Sequence, residues 1–351
     1  MQIGNLLQQA VKQGASDIFI IAGRMLGLKI NGNIEAVGEE KLNAEDSKHL
    51  LRQIYTVAGR NIVPFEREGD DDFSFAINKV GRFRVNAYKQ RGSLAAVIRV
   101  VSFELPNEKE LNIPNKILKI YKEKKGLILI TGPAGSGKST TLACIIHQMN
   151  LKCDSHIITL EDPIEFIHAH EKSIVSQREI NSDTSSYIRG LTAALREAPD
   201  VILLGEMRDS EIIQTAMTAA ETGQLILSTL HTLGAANTIN RIIDVFPPSQ
   251  QCQIRIQLAM VLKAVISQQL VETKDHKLRP VFEIMFVNNA IRNLIRDAKI
   301  HQIEAIIQLS KKEGMQTMDT ELLELYRKNR IDKYEVIRCA VNREGIQSKL
   351  E

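Results

Sequence analysis

The chain contains few of the residues that mark several common classes of protein. Its four cysteines, Cys144, Cys153, Cys252 and Cys339, lie far apart and form no CxxC pair. This spacing indicates neither a zinc site nor a disulfide framework, so we expect reduced thiols. Tryptophan is absent and aromatic residues make up 5% of the chain, which argues against a stacking platform for single-stranded nucleic acid.

The charge and hydropathy of the chain exclude further classes. The 45 Lys and Arg residues nearly balance the 42 Asp and Glu residues, and a net charge of +3 does not indicate a nucleic-acid-binding protein. No apolar run approaches the ~18–20 residues of a membrane-spanning helix, and residues 1–5 lack the features of a signal peptide. With 351 residues, 44% of them hydrophobic, the chain is expected to form two globular domains.

The first part of the chain, residues 1–103, predicts a small α+β domain. Apolar spacing predicts two helices and five strands that alternate as in an antiparallel sheet. The helices are predicted over 5–12 and 42–58, and the strands over 17–21, 26–30, 73–77, 81–88 and 95–101, with a turn at Asn31–Asn33. The polar segment that follows, residues 104–114, is bracketed by Pro106 and Pro114 and predicts an interdomain linker.

The pattern over residues 115–351 is that of a doubly wound α/β domain. Continuous apolar runs predict four strands of a parallel sheet that is covered on both faces. These strands are predicted over 126–131, 156–160, 201–204 and 225–229, and helices between them over 139–151, 185–197 and 209–222. The region from Ser249 onward is expected to be almost wholly helical.

A phosphate-binding loop follows the first of these strands. The segment fits G-x-x-x-x-G-K-[ST] and opens a predicted helix, the context in which the motif is specific. Its glycines allow backbone N–H groups to turn toward phosphates, and the helix N-terminus adds a favourable dipole. Lys138 would reach the β- and γ-phosphates, and Ser139 would bind Mg²⁺. The chain is therefore expected to bind ATP through Gly132, Pro133, Ala134, Gly135, Ser136, Gly137, Lys138, Ser139 and Thr140.

Acidic residues follow two other predicted strands, at the edge where open α/β sheets bind ligands. Glu161, Asp162 and Glu165 follow the strand 156–160, although a capping or solvated role competes for Glu161 and Asp162. Glu206 closes the strand 201–204. A carboxylate that activates water would make the protein a hydrolase. The common form of the second motif has an Asp before this Glu that holds the metal shell.

Here Gly205 takes the place of that Asp. The metal is therefore expected to be held by Ser139, by waters and by Glu206.

His231 follows the fourth predicted strand, where it could sense the γ-phosphate or be a structural histidine.

Several arginines are candidates for contacts with the nucleotide. Strand alternation places Arg82 and Arg84 on one sheet face, with Phe83 on the other, and Arg99 lies on a later strand. These arginines could form a solvated surface or supply an arginine finger to a neighbouring subunit. Near Glu206, Arg196 and Arg208 could instead pair with Glu197 and Asp209.

Four ordered segments together resemble the type IV pilus retraction ATPases, the PilT/PilU group of the secretion/traffic ATPase superfamily. They are GPAGSGKSTT (132–141), ITLEDPIEF (158–166), ALREAPDVILLGEMRD (194–209) and AAETGQLILSTLHT (219–232). The resemblance extends over essentially the whole chain. It implies a PAS-like N-terminal domain followed by a RecA-like ATPase domain, assembled as a homohexamer that uses ATP and Mg²⁺ to drive pilus disassembly.

The resemblance also implies roles for individual residues. The segment ITLEDPIEF corresponds to the family's acidic box, and its catalytic acid corresponds to Glu165. The Walker B acid corresponds to Glu206. The second histidine of the family's His box corresponds to His231, near the end of AAETGQLILSTLHT. The N-domain arginines correspond to Arg82, Arg84 and Arg99, and the motif required for retraction to Ala290–Asp297.

The implied location is the cytoplasmic face of the membrane at the pilus base. There the implied partners are an inner-membrane platform protein and a second retraction ATPase, with no nucleic acid.

The chain departs from the family pattern at a few positions. Gln224 stands in place of the first histidine of the His box, and Ala134 in place of a threonine in the phosphate-binding loop.

Three alternative functions remain open. One is an extension or type II secretion ATPase, which the absence of a four-cysteine insertion and of a longer N-terminal region disfavours. The others are a RecA-like nucleic-acid motor and a non-hydrolysing scaffold.

Overall fold

The computed structural model of the chain describes residues 2–30, 32–78, 80–101, 105, 107–108 and 110–350. The described residues do not include Asn31 of the predicted turn, Glu104, Pro106 and Lys109 of the predicted linker, or Ser102 and Phe103 at the end of the predicted first domain. The chain divides into two compact units, residues 1–104 with 165–167, and residues 105–164 with 168–351.

The first unit contains, among its described residues, a six-stranded antiparallel sheet in the order β3-β2-β1-β6-β5-β4. Its strands are β1 Asp17–Ile20, β2 Leu26–Ile30, β3 Asn33–Val37, β4 Asp70–Ile77, β5 Gly81–Gln90 and β6 Ser93–Val101. Its helices are α1 Ile3–Lys12, α2 Ala44–Val57 and α3 Val63–Glu68. The predicted α+β composition and antiparallel pairing are confirmed, and the sequence analysis missed β3 and α3.

The core of the first unit lies on one face of this sheet. Alternate residues of the strands, such as Phe83, Val85 and Ile98, are fully buried in one cluster with Leu51 and Ile54 of α2. Because side chains alternate across a strand, the opposite face is left to polar residues. The prediction that Arg82 and Arg84 share that opposite face is confirmed.

The second unit is built on a seven-stranded sheet, counted over the described residues, in the order β13-β12-β7-β11-β10-β8-β9. Its strands are β7 Gly126–Thr131, β8 His156–Glu161, β9 Ile174–Glu179, β10 Val201–Leu204, β11 Leu225–Leu230, β12 Leu262–Glu272 and β13 Leu278–Phe286. All neighbouring strands pair in parallel except β12 and β13, which pair antiparallel.

The helices of the second unit cover both faces of its sheet. They are α4 Asn115–Leu118, α5 Lys138–Lys152, α6 Tyr187–Ala194, α7 Ser210–Thr222, α8 Ala235–Asp244, α9 Pro248–Val261, α10 Asn289–Arg296, α11 Ile303–Leu309, α12 Met318–Arg327, α13 Lys333–Cys339 and α14 Arg343–Leu350, with short 3₁₀ helices at Lys119–Lys122, Ile300–Gln302 and Lys311–Glu313. Along β7, Leu127 and Leu129 enter one apolar cluster, whereas Ile128 and Ile130 enter another. The predicted parallel sheet covered on both faces is confirmed.

The expectation that the region after Ser249 is almost wholly helical is wrong. Residues 262–272 and 278–286 form β12 and β13, and β12 pairs in parallel with β7. The apolar run that contains Val265 and Ile266 is buried on both faces, and periodicity does not distinguish such a strand from a buried helix. The pairing with β7 decides the conformation. Beyond Phe286 the chain is helical, as predicted.

The parallel strands bring the candidate residues to one edge of the sheet. The strands β7, β11, β10 and β8 are neighbours, so their carboxyl ends lie side by side. The phosphate-binding loop, His231, Glu206 and Glu161 therefore follow consecutive strands at that edge, as open α/β sheets arrange their ligand sites. In the part of the chain that the structure describes, no helix is long and apolar enough to cross a membrane.

Candidate nucleotide-binding and hydrolysis site

The loop between β7 and α5 has a backbone that only glycine can form at two positions. A Cβ on Gly132, whose φ is +144°, would lie 2.1 Å from the carbonyl oxygen of Gln268. Gly137 precedes the first residue of α5 with a φ of +84°, in the left-handed region that favours glycine. The loop therefore closes tightly against β12, and its glycines are structural requirements.

The side chain of Gln268, on β12, anchors this loop through two hydrogen bonds. Its side-chain amide donates to the backbone oxygen of Ser136 at 2.7 Å, and its carbonyl accepts from the Thr141 hydroxyl at 2.7 Å. The Gln268 residue is 2% exposed, so water cannot replace either bond. One side chain thus joins the phosphate-binding loop and the first turn of α5 to the sheet.

The polar groups of the loop fit a nucleotide phosphate. The ammonium of Lys138 is buried and donates to the backbone oxygens of Gly132 and Pro133, both at 2.9 Å. The hydroxyl of Ser136 is buried and makes no hydrogen bond within the described residues. The first turn of α5 contains no acidic side chain, so the positive end of the helix dipole is not neutralised there. This cradle suits an anion.

The remaining predicted loop residues surround that cradle. Pro133, Ala134 and Gly135 are exposed at its tip, and Ser139 and Thr140 are half-buried on the first turn of α5. Hydroxyl and carboxylate oxygens such as those of Ser139 and Glu206 are of the kind that Mg²⁺ binds.

Glu206 and His231 lie together at the ends of the neighbouring strands β10 and β11. Nε2 of His231 is 3.6 Å from a carboxylate oxygen of Glu206, whose other oxygen pairs with the guanidinium of Arg208. The side chain of Glu206 is 16% exposed. These three residues and Arg241 line a cleft of about 550 Å³. The alternative that Arg208 pairs with Asp209 is not what the structure shows: Arg208 pairs with Glu206, and Asp209 caps α7 by accepting from the N–H of Ile212.

The position before Glu206 is crowded by a neighbouring side chain. A Cβ on Gly205 would lie 2.7 Å from the hydroxyl oxygen of Tyr187. The backbone of Gly205 is held on both sides, because its N–H donates to Leu160 and its carbonyl accepts from the hydroxyl of Thr229. The space that the Asp of the common motif would enter is thus taken by the Tyr187 hydroxyl.

In the acidic box after β8, one acid is fixed by hydrogen bonds within the protein and another is exposed to solvent. Glu161 accepts from the hydroxyl of Thr159 at 2.6 Å and from the amide of Gln177 at 3.2 Å. The buried carboxylate of Glu179 accepts from the N–H of Ile164 at 3.0 Å and so shapes the following loop. Glu165 is exposed on that loop, in the segment grouped with the first unit.

The three predicted arginines of the first unit lie on strands β5 and β6. Arg84 is directly opposite Arg99. Arg84 pairs with Asp72 through two hydrogen bonds of 2.6 and 3.1 Å, and Arg99 pairs with Asp17 at 3.2 Å. The two ion pairs line a small cleft of about 210 Å³ on the polar face of the sheet. Arg82 lies two residues from Arg84 on the same face, half-buried.

Gln224, the replacement for the first histidine of the His box, lies far from His231. It precedes the first residue of β11, and His231 follows the last residue of that strand. At about 3.3 Å per residue the two are roughly 20 Å apart along the strand. Gln224 is therefore at the amino edge of the sheet. It accepts from the Thr222 hydroxyl and the Gly126 N–H, and its own N–H donates to the Ala219 carbonyl.

Sequence reasoning missed three residues that shape this site. Gln268 belongs to a region that was expected to be helical, Tyr187 belongs to no motif, and Glu179 lies on β9, which was not predicted. The β-branched residues around Gln268 were the only signal available, since the contacts of all three residues depend on strand order.

Comparisons with known proteins agree with this arrangement. A family model described as type II/IV secretion system protein matches residues 1–302. A twitching motility protein of Neisseria gonorrhoeae is 42% identical over 343 residues, which are 97% of this chain and 91% of the relative. The type IV pilus retraction ATPase PilT of Pseudomonas aeruginosa is 41% identical over 333 residues, 95% of this chain and 96% of the relative. A crystal structure of the pilus retraction motor PilT with bound ADP has a TM-score of 0.91 and 42% identity, and 99% of each chain is covered.

Proposed function

We propose, from the premise that this chain belongs to the type II/IV secretion system protein family, that it is an ATP-hydrolysing motor of type IV pilus retraction. The observation that carries the proposal is the shared edge of the second sheet. At that edge the phosphate-binding loop, with the buried Lys138, lies beside His231 and Glu206, which follow the next two strands. The relatives that match nearly the whole chain are named for pilus retraction and twitching motility, which favours this motor over other ATPases of the family.

The geometry suggests how the residues share the reaction. Backbone N–H groups of the loop and the ammonium of Lys138 would hold the phosphates in line for attack. Mg²⁺, which Ser139 and Glu206 would hold, supplies charge neutralisation on the β- and γ-phosphates when it is bound. Glu206 would orient a water and accept its proton. His231, whose Nε2 is 3.6 Å from Glu206, would sense the γ-phosphate from that position.

A ring of six subunits would complete the site. The resemblance to the retraction ATPases implies such a ring, in which Arg82, Arg84 and Arg99 of one subunit would reach the nucleotide of a neighbour. In the isolated chain Arg84 and Arg99 already have acidic partners. A role as arginine fingers therefore requires that these pairs open or that the guanidinium groups bridge both acid and phosphate. Glu165, exposed on its loop, would be the second catalytic acid of the assembled site.

The proposed setting is the cytoplasmic face of the membrane at the base of a pilus. The partners there would be an inner-membrane platform protein and a second retraction ATPase, and Ala290–Asp297, which covers most of α10, would couple ATP hydrolysis to retraction. ATP-driven closure of the two units would supply the movement.

The experiment that tests this function is ATPase activity of the purified chain after fractionation by size, with Mg²⁺ or EDTA and with or without DNA. We expect Mg²⁺-dependent turnover confined to an assembly of about six subunits and unaffected by DNA. The Lys138→Ala variant is the control for the assigned site and should lose turnover. Strong stimulation by DNA would favour a nucleic-acid motor, and turnover by a monomer would contradict the shared site.

A further inference from the structure

The side chain of Tyr187, the first residue of α6, lies between the carboxyl ends of β8 and β10, and the proposed function has no role for it. Its hydroxyl oxygen is 2.7 Å from the position that a Cβ would take on Gly205. The other atoms near that position are the Leu160 oxygen at 3.3 Å and Cα of Glu161 at 3.6 Å. The tyrosine hydroxyl therefore occupies the space into which a side chain at position 205 would extend.

The groups around this hydroxyl are the carboxylates of Asp162, Glu206 and Glu161 and the guanidinium of Arg208. Burial, followed by the carboxylates of Asp162 and Glu206, raises the pKa of Tyr187 above its usual range, while Arg208 acts in the opposite direction. The aromatic ring packs on the apolar cluster that contains Leu160 and Leu204, which fixes the position of the hydroxyl. Among the described residues, no protein group accepts a hydrogen bond from it. The hydroxyl is thus held in position as a hydrogen-bond donor beside Glu206, the acid that follows β10.

We propose that Tyr187 is a further positioning residue for ATP hydrolysis, whose hydroxyl hydrogen-bonds the water shell of the metal beside Glu206. This rests on the proposed function. A carboxylate before Glu206 performs that task in the common form of the motif. Here such a carboxylate would join those of Glu161, Asp162 and Glu206, and like charges in one site disfavour ionisation. A hydroxyl holds water without adding a fourth negative charge.

The test is the Tyr187→Phe variant, which removes only the oxygen atom. Binding of a fluorescent ADP analogue is measured in EDTA and across a Mg²⁺ titration, together with kcat and KM for ATP. We expect unchanged affinity in EDTA, and a Mg²⁺ midpoint raised about two- to tenfold, the range that the loss of one hydrogen bond produces. The kcat should fall by a similar factor while KM is unchanged. Tyr334→Phe, an exposed tyrosine on α13, is the matched control. A Tyr187→Phe variant with wild-type Mg²⁺ midpoint and kcat would overturn the proposal.

A second pair of variants tests the placement of the hydroxyl. Gly205→Ala should lower the melting temperature, because its methyl group would meet the tyrosine oxygen. Tyr187→Phe in the Gly205→Ala background should restore part of the loss, since that oxygen is gone. Strictly additive effects of the two changes would contradict the placement. If the wild-type protein does not hydrolyse ATP, the proposed function fails, whereas the Mg²⁺ dependence of ADP binding still decides whether the Tyr187 hydroxyl contacts the water shell of the metal.

Discussion

Replacing Gln268 by methionine would remove the two hydrogen bonds that hold the phosphate-binding loop, with little change in side-chain volume. The Ser136 carbonyl and the Thr141 hydroxyl would then be buried without these partners. Each such loss costs about 1–3 kcal/mol, so we expect the free energy of unfolding to fall by about 2–6 kcal/mol. Thermal or urea unfolding measures this change.

The same substitution should weaken nucleotide binding for a separate reason. The peptide bond between Ser136 and Gly137 is planar and trans, so its carbonyl and N–H point in opposite directions. By holding the carbonyl, Gln268 turns the Gly137 N–H toward the phosphate side of the loop. A hydrogen bond to a charged group contributes about 1.5–3 kcal/mol, so losing this orientation should raise the Kd for ADP about 10- to 100-fold.

The neighbouring Gln269 provides a matched control. Its amide donates to the backbone oxygen of Cys339 at 2.9 Å, and alternation along the strand directs it to the face opposite Gln268. Gln269→Met should lower stability by about 1 kcal/mol and leave the ADP Kd unchanged, as calorimetric titration would show. Wild-type ADP affinity in Gln268→Met, or equal weakening in both variants, would refute the orientation argument.

Three further predictions concern the acids and arginines. Glu206→Gln should bind ATP with near wild-type affinity but lose at least about 100-fold in kcat, and an unchanged kcat would remove this acid from the mechanism. Arg84→Ala should be inactive alone, whereas mixing it with Glu206→Gln subunits should restore part of the activity if the two residues serve different nucleotides. No recovery at any mixing ratio would indicate a structural arginine. Burial raises the pKa of Glu321 to about 7 from 4.5, so the folded state binds an extra proton between these values and stability should decrease as pH rises through this window. Thermal unfolding of Glu321→Gln should show a smaller decrease between pH 5 and 8, and an equal slope in both proteins would contradict the assignment.

The parts of this protein that could be read from the sequence depend on residues close together in the chain. The phosphate-binding loop, its preceding strand and its following helix are specified within about 25 residues, because glycine conformations and apolar runs act locally. The alternation that places Arg82 and Arg84 on one face is equally local. The order of strand, loop and helix also indicated the doubly wound sheet. The position of Glu206 and His231 after their strands followed from the same reading.

Contacts across the sheet were decided only by the tertiary structure. Gln268 reaches Ser136 over 132 positions of sequence and Thr141 over 127, and this contact exists only because β12 pairs with β7. The same pairing turned an expected helix into a strand, since an apolar run takes the conformation that its neighbours can hydrogen-bond. Tyr187 meets Gly205 because α6 packs on the ends of β8 and β10. Local pattern thus determined which residues could do chemistry, and strand order determined which of them meet.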